Sequence, residues 1–271
     1  MGNVWLAFGL TVFAGLSTGI GSAIAFFAKK TNTRFLAVSL GFSAGVMIYV
    51  SMIEIFVKSR EALSVAWGEK GGGWGAIASF FAGIALIALI DKFIPKAENP
   101  HELHTVEDMA AAGRHEVHPD HKHLMRTGLF TALAIAIHNF PEGLATFIAG
   151  LQDYTIAIPI AIAIAIHNIP EGIAVSVPIY YATGSKRTAF RYSFLSGLSE
   201  PIGAAVGFLL LRPFINDTMF GIVFGMVAGI MVYISLDELL PSAREYGEAH
   251  LSIYGLVAGM AIMAVSLQLF M

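Results

Sequence analysis

The chain has 271 residues, 56% of them apolar or aromatic and only 13% charged, with a formal net charge of −3. A soluble globule of this size needs more polar surface than that, and a mean hydropathy of +0.71 points to a polytopic helical membrane protein. Cysteine is absent, which excludes disulfides, thiolate metal sites and a cysteine nucleophile. No large basic block exists, so nucleic acid is not an expected partner.

Stretches of about 20 residues with little or no charge mark candidate spans. They fall at 4–28, 35–57, 73–91, 127–149, 155–181, 188–211, 218–240 and 251–270. The N-terminus has no basic leader region, so the first stretch reads as a span and not as a cleaved signal peptide. All are longer and more continuously apolar than transmembrane β-strands, which alternate over roughly ten residues. The expected fold is an all-α integral membrane protein of eight transmembrane helices, forming one domain over 1–271.

Lysine and arginine set the orientation. With the N-terminus outside, inner loops hold twelve basic residues, among them Lys29, Lys30, Arg34, Lys186, Arg187 and Arg191. Outer loops hold four, Lys58, Arg60, Lys70 and Arg212. Both termini are therefore expected outside the cytoplasm. Trp5, Trp67 and Trp74 fall near the outer face, as interface anchors do. Glycines four residues apart, such as Gly41/Gly45 and Gly221/Gly225/Gly229, predict close helix packing. The last pair could also offer a smooth sliding surface, and such glycine-lined spans permit a homodimer.

The long polar segment 92–126 carries His101, His104, His115, His118, His121 and His123. It reads as a cytoplasmic loop, either a solvated linker or a flexible metal collector.

One short motif repeats. Residues 134–143 read AIAIHNFPEG and residues 163–172 read AIAIHNIPEG, matching at nine of ten positions. Both copies lie in mid-span, where polar groups are costly and usually functional. On a helix His138 and Glu142 share a face with Asn139 adjoining it, and His167, Asn168 and Glu171 repeat the pattern. Pro141 and Pro170 each leave a carbonyl one turn earlier without its donor. Two imidazoles, two amides and two carboxylates suit zinc and other first-row divalent ions. Glu200, mid-span in SGLSEPIG, adds a third carboxylate, and Pro201 predicts a kink there. Three carboxylates close together repel unless cations or protons lie among them.

These residues resemble the ZIP family of divalent-metal transporters over the whole chain. The resemblance implies a 3+2+3 arrangement of helices and a binuclear site. One subsite would be His138, Glu142, His167 and Glu171. The other would be Asn139, Glu142, Asn168, Glu171 and Glu200. It implies uptake of Zn²⁺, and of Fe²⁺, Mn²⁺, Co²⁺ or Cd²⁺, across the inner membrane, with metal as cargo and not as cofactor. It also implies that spans 1, 4, 5 and 6 carry the site while spans 2, 3, 7 and 8 form a scaffold. Met47, facing the site, and Glu54, at the entrance, become pathway candidates, with Asp237 and Glu238 at the exit. A metal sensor without flux and an intramembrane metallohydrolase are the alternatives. The second lacks an HExxH motif and a spare carboxylate, so the chain is not expected to be an enzyme.

Overall fold

The computed structural model describes residues 3–27, 33–92, 121–152, 154–211, 216–246 and 249–270. Among the described residues every regular element is helical. Helix α1 spans Val4–Phe27 and α2 spans Thr33–Val50, followed by a π-helical turn at Ser51–Ile55. Then come α3 (Phe56–Lys92), α4 (His121–Gln152), α5 (Tyr154–Thr183), α6 (Lys186–Gly197) and α7 (Ser199–Leu211). Helix α8 (Asp217–Ile234) runs through a second π turn, Ser235–Leu239, into α9 (Leu240–Tyr246), and α10 (Ala249–Phe270) ends the fold. At about 1.5 Å of rise per residue, the 24 residues of α1 are long enough for a hydrocarbon core of about 30 Å.

Five runs among the described residues are long and apolar enough to cross a bilayer. They are Val4–Ile24, Ala37–Lys92, Lys186–Leu210, Asp217–Leu239 and His250–Leu269. The second is longer than any expected span because the expected outer loop at 58–72 is helical. Its one break is Gly68, whose φ of 74° is left-handed and suits a residue without Cβ. Charged Arg60, Glu61, Glu69 and Lys70 all lie exposed there, so the helix continues past the apolar stretch with its polar groups in water. Helix α4 begins at His121, earlier than expected, so His121 and His123 belong to its first turn. His101, His104, His115 and His118 lie outside the described residues.

Neither Pro141 nor Pro170 interrupts its helix. The expected kink at Pro201 appears as a turn at Leu198, which separates α6 from α7. A proline ring displaces the carbonyl four residues earlier, here Gly197, so the break precedes the proline.

The helices pack in two groups. Helices α1, α4, α5, α6 and α7 form one, and α2, α3, α8, α9 and α10 form the other. Inside each group the backbones nearly touch. A Cβ built on Gly172 would lie 1.9 Å from the Thr18 carbonyl oxygen, and one on Gly45 would lie 2.0 Å from that of Leu256. Gly229 meets the Phe80 carbonyl at 2.0 Å, and Gly225 meets Ser79 and Ser59. These two glycines therefore seat α8 on α3 inside one group, and they do not form a sliding surface. Serine hydroxyls reinforce the same seams: Ser59 donates to Gly221 O at 2.6 Å and Ser22 to Gly172 O at 3.3 Å. The groups meet mainly where α2 crosses α5 and α4 crosses α8. Leu40, Ala44, Met47, Ile160, Ile164 and Phe224 join one buried apolar cluster spanning that junction.

The two π turns expose a second repeat. Residues 41–54, GFSAGVMIYVSMIE, and 225–238, GMVAGIMVYISLDE, agree at seven of fourteen positions. Both segments end in a π turn, at Ser51–Ile55 and Ser235–Leu239.

Candidate metal centre

The repeated motif lies inside the first group, on α4 and α5, with α1 and α7 packed around it. Asn139, Glu142, His167, Asn168, Glu171 and Glu200 are all buried, five of them at no more than 1% exposure. The side chain of His138 is outside the described residues. Burying so many polar groups at this depth costs several kcal/mol in total unless partners satisfy them.

The structure joins these residues in two pairs. His167 Nε2 faces Glu142 Oε2 at 3.1 Å, and its Nδ1 has no hydrogen-bond partner among the described residues. The Asn168 amide nitrogen donates to the Ala14 carbonyl at 3.0 Å and also to Glu200 Oε1. Both partners are acceptors, which fixes the amide: nitrogen toward α1 and α7, oxygen toward the interior. Glu142 and Glu171 both lie within electrostatic reach of His167 and of Glu200. Four helices thus converge on one polar spot.

Several atoms there have no hydrogen-bond partner among the described residues. They include both amide atoms of Asn139, Glu142 Oε1, Asn168 Oδ1 and Glu200 Oε2. Each such buried atom costs about 1–3 kcal/mol. Four of these five atoms are oxygens with lone pairs, the donors a hard or borderline divalent cation takes. An ion among them would satisfy them together and would relieve the repulsion between carboxylates. Among the described residues no three His, Asp or Glu side chains are already drawn close enough to grip an ion. The donor set fits such an ion in its chemistry.

The chain matches the family model of the ZIP zinc transporter over residues 92–267. It belongs to the ZIP family. It is 65% identical to the zinc transporter ZupT of Lysinibacillus sphaericus, over 99% of this chain and 98% of that one. Identity to the ZupT of Clostridium perfringens is 64%, over 100% and 98% of the two chains. The ZupT of Nitratidesulfovibrio vulgaris is also 64% identical, over 100% and 99%. ZIP proteins are transporters and not enzymes, and membership makes this a multi-pass membrane protein.

The other residues expected to matter in a ZIP transporter lie on the second group. Met47 is wholly enclosed in the apolar cluster. Glu54 sits in the first π turn and is buried, not exposed at an interface. In the second π turn Asp237 is exposed and Glu238 half-buried. His250 is exposed in the first turn of α10, stacked near Tyr254. Trp5, Trp67 and Trp74 are all exposed, as membrane-interface anchors are.

Two participants were not visible from motif reading. The Ala14 carbonyl orients Asn168, and no side-chain pattern announces a backbone acceptor. Thr146, one turn past Glu142, is fully buried with an unpartnered hydroxyl. The second motif has Val175 at the matching position, so the two copies differ there.

Proposed function

We propose that this chain carries Zn²⁺ into the cytoplasm through a binuclear site at the centre of the first helix group. One subsite comprises His138, Glu142, His167 and Glu171. The other comprises Asn139, Glu142, Asn168, Glu171 and Glu200, with Glu142 and Glu171 bridging. The observation that carries this reading is the set of buried, unpartnered oxygens on Asn139, Glu142, Asn168 and Glu200. Among the described residues nothing satisfies them, and a divalent cation would. The oxygen-rich second subsite also admits Fe²⁺, Mn²⁺, Co²⁺ and Cd²⁺.

The protein crosses the inner membrane eight times with both termini outside. Helix directions support that count: α2 runs parallel to α10, with Gly41 beside Ser252 and Gly45 beside Leu256. Helix α4 likewise runs parallel to α7, with Gly203 against Phe140 and Gly207 against Leu144. Cargo enters past Glu54 and Met47 and leaves past Asp237 and Glu238. The His-rich segment collects ions on the cytoplasmic side. Alternating access needs a site near mid-membrane between bodies that can shift, and the two helix groups supply such bodies.

The test is zinc flux into sealed liposomes containing an internal zinc-sensitive dye, comparing the natural chain with Glu171→Ala. Flux that the substitution abolishes, with folding intact, is the expected result. Tight zinc binding without flux in either protein would replace this reading with a sensor.

A further inference from the structure

Many buried hydroxyls in this fold are taken up by their own helix. Thr11 donates to the Ala7 carbonyl at 3.0 Å, Ser196 to Ser193 at 2.8 Å and Ser235 to Met231 at 2.7 Å. Thr146 on α4 could do the same to the Glu142 carbonyl one turn back. It does not: its hydroxyl is fully buried and has no partner among the described residues. Such a group is costly to keep unless something outside the chain satisfies it.

Its position says what that something is. Thr146 lies seven residues past Asn139, nearly two whole turns, and four past Glu142. It therefore falls between those two residues around the helix, on the stripe that faces the metal centre. Both amide atoms of Asn139 and Oε1 of Glu142 on this stripe are also unpartnered. Helical side chains lean toward the preceding turn, so the hydroxyl is directed back toward Glu142. The level is fixed by the neighbouring helix. Gly15 and Gly143 both meet Glu200, while Gly150 meets Ala7. Helices α1 and α4 thus run antiparallel, and Thr11 lies level with Thr146. Of these two buried threonines only Thr11 is occupied. The second copy of the motif has Val175 at the matching position, also fully buried, so a side chain of this shape packs there without a hydroxyl.

We propose that Thr146 holds a water on the ion in the second subsite and so sets how strongly that subsite takes six-coordinate ions. One turn, about 5.4 Å, separates it from Glu142. That is too far for the hydroxyl to join Asn139 and Glu142 as a direct ligand, and it leaves room for one water between. Asn139, Glu142, Asn168, Glu171 and Glu200 supply five oxygens, and the held water is the sixth. Mn²⁺ favours six oxygens in an octahedron, whereas Zn²⁺ is content with four donors. This deepens the binuclear reading above and rests on its second subsite.

The test is calorimetric titration of full-length protein in detergent with Mn²⁺ and with Zn²⁺. Thr146→Val should lower the ratio of Mn²⁺ to Zn²⁺ affinity about tenfold, the worth of one hydrogen bond to a charged group. Thr146→Ser and Thr146→Ala both lose the methyl group and differ only in the hydroxyl. The first should keep the wild-type ratio and the second should match Thr146→Val. Thr11→Val, at the same level, should leave the ratio unchanged. An equal ratio in the Ser and Ala variants would overturn the proposal. Metal-free Thr146→Val should melt no lower than wild type, because it removes an unsatisfied hydroxyl. A lower melting temperature, with that of Thr146→Ser unchanged, would mean that the hydroxyl is bonded within the fold and would also overturn it. Zinc flux into liposomes separates the two readings. The tenfold shift without wild-type flux counts against transport alone, and wild-type flux without the shift counts against Thr146 alone.

Discussion

Replacing Gly45 by alanine isolates the backbone seams from the metal chemistry. Gly45 lies on α2, in the group without the proposed metal ligands, against α10. A Cβ there would stand 2.0 Å from the Leu256 carbonyl oxygen and 2.8 Å from its carbon. Real Cβ contacts do not fall below 3.0 Å, so the helices must part by about 1 Å. A gap of that size forfeits roughly a quarter to a half of each dispersion contact along the seam. Overpacking of this kind costs about 1–3 kcal/mol, while alanine returns about 1 kcal/mol of helix propensity. The net loss is up to about 2 kcal/mol, or a fall in melting temperature of up to about 8 °C at this chain length. Thermal unfolding in detergent measures it. Gly9→Ala is the control, because nothing lies within 4 Å of its added Cβ. That variant should melt at or slightly above the wild-type temperature. If Gly45→Ala melted with Gly9→Ala, close backbone approach would not hold this group together.

Four further outcomes follow from the geometry. Glu171→Ala should reduce zinc flux to background in liposomes while the circular dichroism spectrum is kept. Asn168→Asp adds a charge beside Glu200 and loses the amide donated to Ala14. It should tighten zinc binding in calorimetry yet slow turnover, because conduction requires release. Ser59→Ala removes the 2.6 Å bond to the Gly221 carbonyl and should cost about 1 kcal/mol, read as a lower melting temperature with zinc affinity unchanged. Replacing all six histidines of 101–123 should leave most of the flux; complete loss would make that segment essential machinery.

The apolar periodicity carried the helices, and the repeated HNxPEG marked the buried polar cluster, because burial and polarity are both written in side chains. Glu200 could be assigned for the same reason: a mid-span carboxylate needs an explanation. The helical stretch before Gly68 is not legible in the sequence, where its charged residues mark a loop. Charge ends the membrane-embedded part only, and a helix can continue into water. The π turns were also missed, although the repeat that carries them was present from Gly41 to Glu54 and from Gly225 to Glu238. Its identities are two Gly, Ala, Met, Tyr, Ser and Glu, and all but the Glu resemble ordinary membrane-helix composition when each copy is viewed alone. Partner choice was illegible for a different reason. Gly225 and Gly229 announce close approach, but any neighbouring helix satisfies that, and only the coordinates assign them to α3.

The distribution of backbone contact separates what must be rigid from what need not be. Gly172 on Thr18, Gly203 on Phe140, Gly45 on Leu256 and Gly229 on Phe80 all join helices of the same group. Contacts at such distances tolerate no displacement, since any slide brings a Cβ onto a carbonyl. Across the junction the buried partners are Met47, Leu40, Ile160, Ile164 and Phe224, side chains with rotamer freedom. Apolar side chains exchange neighbours at little cost, whereas a glycine seam has one register. The proposed ligands obey the same division. Asn139, Glu142, His167, Asn168, Glu171 and Glu200 all belong to the group held by the seams of α1, α4, α5 and α7. Their mutual geometry can therefore survive a shift against α2 and α8, and an ion held among them would travel with its ligands and not be handed across the junction.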